Sequence, residues 1–294
     1  MSFLKYLING ISLGGVYAII ALGYTMVYGI AKMLNFAHGD IIMVGSYLIL
    51  MCASSAGLPP VVAVLIAMAG CTALGLTTER VAYRPLRNAS SNLAVLITAI
   101  GVSYLLQNIA LLIFGANPKT FTSMVPFKRL SLAGGKLVIS GEAITTIVFS
   151  VIIVIGLTTF IHKTKQGQSM LALSQDREAA QLMGINVNRT IAMTFAIGSA
   201  LAAIAGLLLC SAYPSLTPYT GAMPGIKGFV AAVFGGIGSV PGAMLGGIIL
   251  GIIESLSKAY ISSQLSDAIV FAVLIIVLLV KPTGILGKQI REKV

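Results

Sequence analysis

Leu7-Ile-Asn-Gly-Ile-Ser-Leu-Gly-Gly-Val-Tyr-Ala-Ile-Ile-Ala-Leu-Gly-Tyr-Thr-Met-Val-Tyr-Gly-Ile30 is the stretch that decides the fold. It carries no charge and is longer than the roughly 20 apolar residues that cross a hydrocarbon core, and longer than the core of a cleavable signal peptide. It also lacks a clear small-residue cleavage site, so it reads as a retained transmembrane helix. Working outward, apolar segments recur at residues 41–56, 61–78, 93–114, 143–161, 191–212, 226–237, 243–256 and 268–280. Several of these are too short for an upright span. Short segments can be re-entrant or broken helices, because irregular backbone is tolerated at membrane depth where it is buried or lines a cavity. The expectation is an all-α polytopic membrane protein of eight or nine hydrophobic segments.

Composition agrees. Of 294 residues 57% are hydrophobic and 9% charged, against about 25% charged in a soluble domain. Eight spans nearly consume the apolar residues, leaving little chain for a soluble domain. The net charge of +11 does not indicate a nucleic-acid partner, because the basic residues punctuate apolar stretches instead of forming a water-facing patch. It reads as orientation. Lys32, Arg80, Arg84, Arg87, the loop Lys163 to Arg189 and the tail Lys281 to Lys293 hold 12 of the 19 basic residues. The positive-inside rule then places that side, and the C-terminus, in the cytoplasm. Lys5, Lys119, Lys128, Arg129, Lys136, Lys227 and Lys258 fall outside or near the outer interface. Nine crossings would put the N-terminus outside, eight inside.

Cys52, Cys71 and Cys210 lie in apolar runs without metal-ligand spacing and read as buried hydrophobes. With no Trp, the interfacial aromatic belt falls to tyrosines near segment ends: Tyr6, Tyr83, Tyr213, Tyr219 and Tyr260. Gly10, Gly14, Gly15 and Gly242, Gly246, Gly247, Gly251 recur at helical spacings, as close helix packing requires.

Three polar or irregular stretches are candidates for function. Asn35-Phe-Ala-His38-Gly-Asp40 interrupts apolar sequence, with Asn35 placed to cap the next helix and Asp40 favoured by its N-terminal dipole. It is either a capped interfacial loop or a broken helix on a permeation path, with Asn35, His38 and Asp40 as path residues. Gly235-Gly236-Ile-Gly238-Ser-Val-Pro241-Gly242 cannot continue a regular helix and must turn. Interrupted segments in both halves of a transporter point to its central path. Ser174-Gln-Asp-Arg177-Glu178-Ala179-Ala180-Gln-Leu182-Met-Gly184 predicts a short helix of little more than two turns, with Ser174 as N-cap and Gly184 as left-handed C-cap. Such a helix is too short to be stable alone and would gain stability by docking on a partner.

Glu178-Ala179-Ala180 followed by Gly184 resembles the EAA loop of permease subunits in ATP-binding-cassette importers. The resemblance continues at Leu34-Asn-Phe-Ala-His-Gly39, at the Gly235 to Gly242 stretch, and at Asn9-Gly-Ile-Ser-Leu-Gly-Gly-Val-Tyr-Ala18. Together these are similar to the permease subunits of bacterial branched-chain amino-acid importers, over essentially the whole chain. The resemblance implies the permease fold of that family, in a single transmembrane domain, 1–294, in the bacterial inner membrane, with a cytoplasmic coupling loop at 162–190. It implies a second homologous permease in a heterodimer, two cytoplasmic ATPases using ATP and Mg, and a periplasmic amino-acid-binding protein. Arg177, Glu178, Ala179, Ala180, Leu182 and Gly184 would couple to the ATPase.

No phosphate-binding loop is present, since Gly134-Gly-Lys136 lacks the spacing, so no bound cofactor is expected in this chain. With only His38 and His162, no metal site or intramembrane catalytic centre is expected, and His162 reads as interfacial. Few charges are placed to hold a zwitterion, which implies a weakly binding passage with selectivity in the external binding protein. The alternative is a self-contained secondary transporter or channel for small polar solutes. Glu254 is then the best coupling-ion candidate, although its position near a segment end favours interfacial pairing.

Overall fold

Nine apolar helices account for the nine apolar segments among the described residues 2–88, 92–125, 127, 129–132 and 137–287 of the computed structural model. Seven are long enough to cross a membrane and two are short. In chain order they are α1 (Ser2–Ala31), α2 (His38–Leu50), α3 (Pro60–Thr78), α4 (Asn92–Phe114), α5 (Gly141–Lys163), α8 (Val187–Ala212), α9 (Ala222–Gly235), α10 (Val240–Tyr260) and α11 (Ser266–Val280). Two further helices, α6 (Lys165–Gln175) and α7 (Arg177–Leu182), fill the loop between α5 and α8. The protein is a multi-pass membrane protein. Among the described residues the strands form two small antiparallel pairs, Lys119–Thr120 with Ser215–Leu216 and Leu130–Leu132 with Leu137–Ile139.

Helix α1 is the centre of the bundle and packs along α10, α8, α9 and α5. Its contact with α10 is made by the glycines expected to do so. A Cβ on Gly14 would lie 2.6 Å from Ile248 Cα, and one on Gly10 would lie 2.8 Å from Ile252 Cα. The helices run antiparallel with backbone against backbone, where dispersion and the absence of side chains replace the missing hydrophobic drive. Gly15 turns to α5 instead, facing Ser150 and Thr146.

One end of the bundle gathers Val27, Met33, Tyr83, Val95, Leu173, Ala180, Ile191 and Phe195 in a small apolar cluster beside Lys32, Arg80, Arg84, Arg87 and the Lys163 to Arg189 loop. We refer to it as the basic end. At the far end Tyr6 packs edge-on against Tyr260, Tyr47 stacks on Phe114, and Phe121 N donates to Pro214 O. Ser2 lies at the far end and Leu286 at the basic end, where Leu286 N donates to Gly235 O and Ile285 N to Phe234 O. Nine passes fit these positions. Lys128, Lys136 and the tail residues Lys288, Arg291 and Lys293, used in the charge argument, lie outside the described residues, as does Gly134.

Two tyrosine and lysine assignments are corrected by burial. Tyr213, Tyr219 and Tyr260 are exposed as an aromatic belt requires, but Tyr83 is fully buried. Lys227, placed by sequence near the outer interface, is also buried. Both have partners more than 20 residues away in the chain, which an interfacial anchor would not need. Cys71 and Cys210 are buried free thiols, and Cys52 is half-buried.

Candidate functional site

The first break runs from the basic end into the bundle, and its polar side chains are buried among helices. After α1 the chain doubles back: Lys32 takes φ 55°, and α2 begins at His38 against the middle of α1, its imidazole over Gly23 and edge-on to Tyr24. Asn35, His38 and Asp40 are all buried. Asn35 does not cap α2. The N-cap is Ala37 without a side-chain bond, and Asn35 Oδ1 accepts from Tyr83 Oη at 2.9 Å. A tertiary donor therefore holds the side chain that local geometry would have used for capping. Asp40 does lie in the first turn of α2, where the dipole favours it, and it accepts from Gln107 Nε2 of α4 at 2.8 Å. His38 Nε2 has no hydrogen-bond partner.

A second discontinuity meets this one. After α8 the chain re-enters the bundle, and α9 starts at Ala222 with Gly221 and Gly225 against Gly39. The glycines let the first turns of α2 and α9 touch backbone to backbone, with Phe229 of α9 packed on Tyr24 and Phe36. Two helix starts whose positive ends meet within the bundle, that of α2 and that of the short α9, resemble the arrangement that transporters use around a solute path.

The Gly235 to Gly242 stretch turns as expected. Gly236 and Gly238 take φ 105° and 92°, which side-chain-bearing residues rarely adopt. Ser239 caps α10 by accepting from Gly242 N at 3.1 Å, and Pro241 sits within its first turn, where a missing N–H costs nothing. The turn lies at the basic end beside Gly29.

In the loop between α5 and α8, Asp176 and not Ser174 is the N-cap of α7: its Oδ1 accepts from Glu178 N and Ala179 N, both at 2.9 Å. Ser174 remains in α6 and donates to Leu171 O. The helix is consequently shorter than the sequence suggests, Arg177–Leu182. Gly184 closes it at φ 84°, with Gly184 N bonded to Gln181 O and Ile185 N to Ala180 O. Ala180 is buried in the basic-end cluster, whereas Leu182 and Met183 are 88% and 83% exposed. Arg87 ties this region to α3 by pairing with buried Glu79 and donating to Asn188 Oδ1 at 2.6 Å. His162 is exposed near the end of α5, with Nδ1 2.9 Å from Thr158 O.

Sequence reasoning missed a buried ionic cluster near the far end. Glu254 of α10 accepts from Lys227 of α9 at 2.8 Å, from Lys258 at 2.6 Å and from Tyr17 Oη of α1 at 2.7 Å. Lys227 also reaches Asp267 at the start of α11, 2.7 Å away. Glu254 pairs with Lys258 as expected, and its side chain is buried beneath the half-exposed Lys258 and Asp267. The available signal was Lys227 itself, a lone charge inside an apolar segment, which marks function or pairing. Gln107 inside α4 was the same kind of signal.

These features define a helical, multi-pass permease. A family model described as the permease component of a branched-chain amino acid transport system matches residues 6–278, and the chain belongs to that family. It is 46% identical over 305 residues to the high-affinity branched-chain amino acid transport system permease protein LivH of Escherichia coli K12, covering 99% of this chain and 98% of LivH. It is 43% identical over 304 residues to the corresponding protein BraD of Pseudomonas aeruginosa, with the same coverage. The solved structure of PsaBC from Streptococcus pneumoniae in complex with Fab shares the fold, with a TM-score of 0.50 at 15% identity over 96% of this chain and 93% of that one.

Proposed function

We propose that the chain is the transmembrane permease subunit of an importer that moves leucine, isoleucine and valine across the bacterial inner membrane. The substrate class is supported by the names of the relatives above. The whole chain, 1–294, acts as a single permease domain with its coupling loop at 162–190, and the basic end with the C-terminus faces the cytoplasm. Two ATPase subunits using ATP and Mg work on that side, a second, homologous permease completes a heterodimer, and a periplasmic binding protein delivers the amino acid.

The observation that carries the reading is α7. A six-residue helix is not stable by itself, yet this one is fixed by Asp176 at one end and Gly184 at the other while Leu182 and Met183 project into open space. Two large apolar side chains held outward at the basic end suit a groove on an ATPase. Ala180 is buried against the cluster containing Tyr83, and Tyr83 bonds Asn35, so a push on α7 reaches the α2 break through packed groups. Asn35, His38 and Asp40 then belong to the gate, and Gly235, Gly236, Gly238 and Pro241 form the basic-end turn around which α9 and α10 rock. A coupling-ion transporter is a poorer fit, since two lysine ammonium groups already offset the Glu254 charge that a coupling cation would need.

The test is to make Gly184→Val and Glu178→Lys and to measure ATPase co-purification and ATP-driven leucine uptake. Both should fall. Unchanged assembly and uptake in both variants would remove the coupling role, and uptake by the permease without any ATPase would remove the importer reading.

A further inference from the structure

The ionic cluster borders a cavity that the proposed coupling mechanism does not use. The cavity has a volume of about 190 Å³ and lies among α1, α8, α9 and α10 near the far end. This is below the roughly 300 Å³ at which pockets begin to hold drug-sized ligands, and is suited to a molecule of amino-acid size. Lys227, Lys258, Glu254 and Tyr17 form its polar side, and Leu13, Leu209 and Met223 its apolar side.

Donor counting shows what the polar side can still do. An ammonium has three N–H groups. Lys258 commits one to Glu254, and its side chain is 38% exposed, so it retains donors for an incoming group. Lys227 is more fully used, by Glu254 and Asp267. Glu254 Oε2 accepts the Tyr17 hydroxyl and keeps one lone-pair direction, because a carboxylate offers about four acceptor sites. The cluster is neutral as a set, two lysines against Glu254 and Asp267. A neutral ligand bearing both signs would therefore add no net charge, whereas a simple anion or cation would. A purely structural ion pair would not need to border a cavity that has an apolar wall.

We propose that this cavity is a transient binding site for a free α-amino-acid zwitterion with an apolar side chain. Its carboxylate lies on Lys258, its ammonium lies toward Glu254 Oε2, and its side chain lies on Leu13, Leu209 and Met223. The proposal rests on the importer reading and names a waypoint for the solute before it reaches the α2 and α9 junction. Competition with the existing salt bridges keeps the binding weak, as passage requires.

Saturation-transfer NMR tests this on the full chain in lipid nanodiscs, with its co-purifying subunits and no binding protein. The probes are leucine, leucinamide, which lacks the carboxylate, and 4-methylpentanoate, which lacks the ammonium. Leucine should give a saturable signal at millimolar concentration, with both analogues weaker by about tenfold, the loss of one charged hydrogen bond. Lys258→Gln should abolish the preference for leucine over leucinamide. Met223→Trp should fill the cavity without touching the ion pairs and abolish the leucine signal while the protein stays monodisperse. An absent leucine signal, equal binding of either analogue, or full binding by Met223→Trp overturns the site. Because binding is read on the permease directly, loss of ATPase assembly would count against the importer reading and leave this result standing.

Discussion

Replacing Gly14 with alanine should separate the two helices at the centre of the bundle. The added Cβ would meet Ile248 Cα at 2.6 Å and Gly247 O at 2.8 Å, where carbon atoms normally sit at about 3.5–4.0 Å. Both obstacles are backbone, so no rotamer change relieves them, and α1 and α10 must part by about 1 Å. Gly10 and Gly251 lie on the same seam, and their contacts loosen together. Overpacking of this kind costs about 1–3 kcal/mol. Taking about 2 kcal/mol, the melting temperature should fall by roughly 3 °C for a chain of this size. The measurement is thermal unfolding in detergent followed by tryptophan-independent thiol labelling of buried Cys71 and Cys210. Gly156→Ala is the control, since a Cβ there meets nothing within 4 Å. Equal melting temperatures for the two variants would refute the close α1–α10 seam.

Arg87→Met should leave buried Glu79 without its cation and cost about 3 kcal/mol, seen as a lower melting temperature; an unchanged value would mean the pair is dispensable. Asp176→Ala removes two hydrogen bonds from the start of α7, a loss of about 1 kcal/mol, and should lower ATP-driven uptake while leaving the melting temperature nearly unchanged. In a Cys52→Ala background, Leu182→Cys and Tyr213→Cys should be labelled from opposite sides of sealed vesicles by an impermeant maleimide. Labelling of both from one side would contradict a membrane crossing by α8.

What was legible in the sequence was local or periodic. The apolar runs fix nearly every helix, with the 93–114 segment differing from α4 by one residue, and the glycine spacing announces close helix packing, though not which helices meet, because helical period but not pairing is visible in a single chain. Gly184 was legible because a left-handed C-cap has a strong residue preference. Capping failed at Ser174 and Asn35 for different reasons. Asp176 competes with Ser174 two residues on, and Asn35 is taken by Tyr83, 48 positions away. The ionic cluster was missed because it joins Tyr17, Lys227, Glu254 and Asp267 from four helices, so no window of sequence contains it.

The central position of α1 also bears on how the protein is made. Its glycine face is completed by α10, whose residues leave the ribosome more than 200 positions later, and Tyr17 finds Glu254 only then. Until that moment a helix with little side-chain cover on one face waits in the membrane, held by α5 and α8 as they arrive. The helix that precedes the other eight apolar helices in the chain is therefore among the last of them to be fully enclosed.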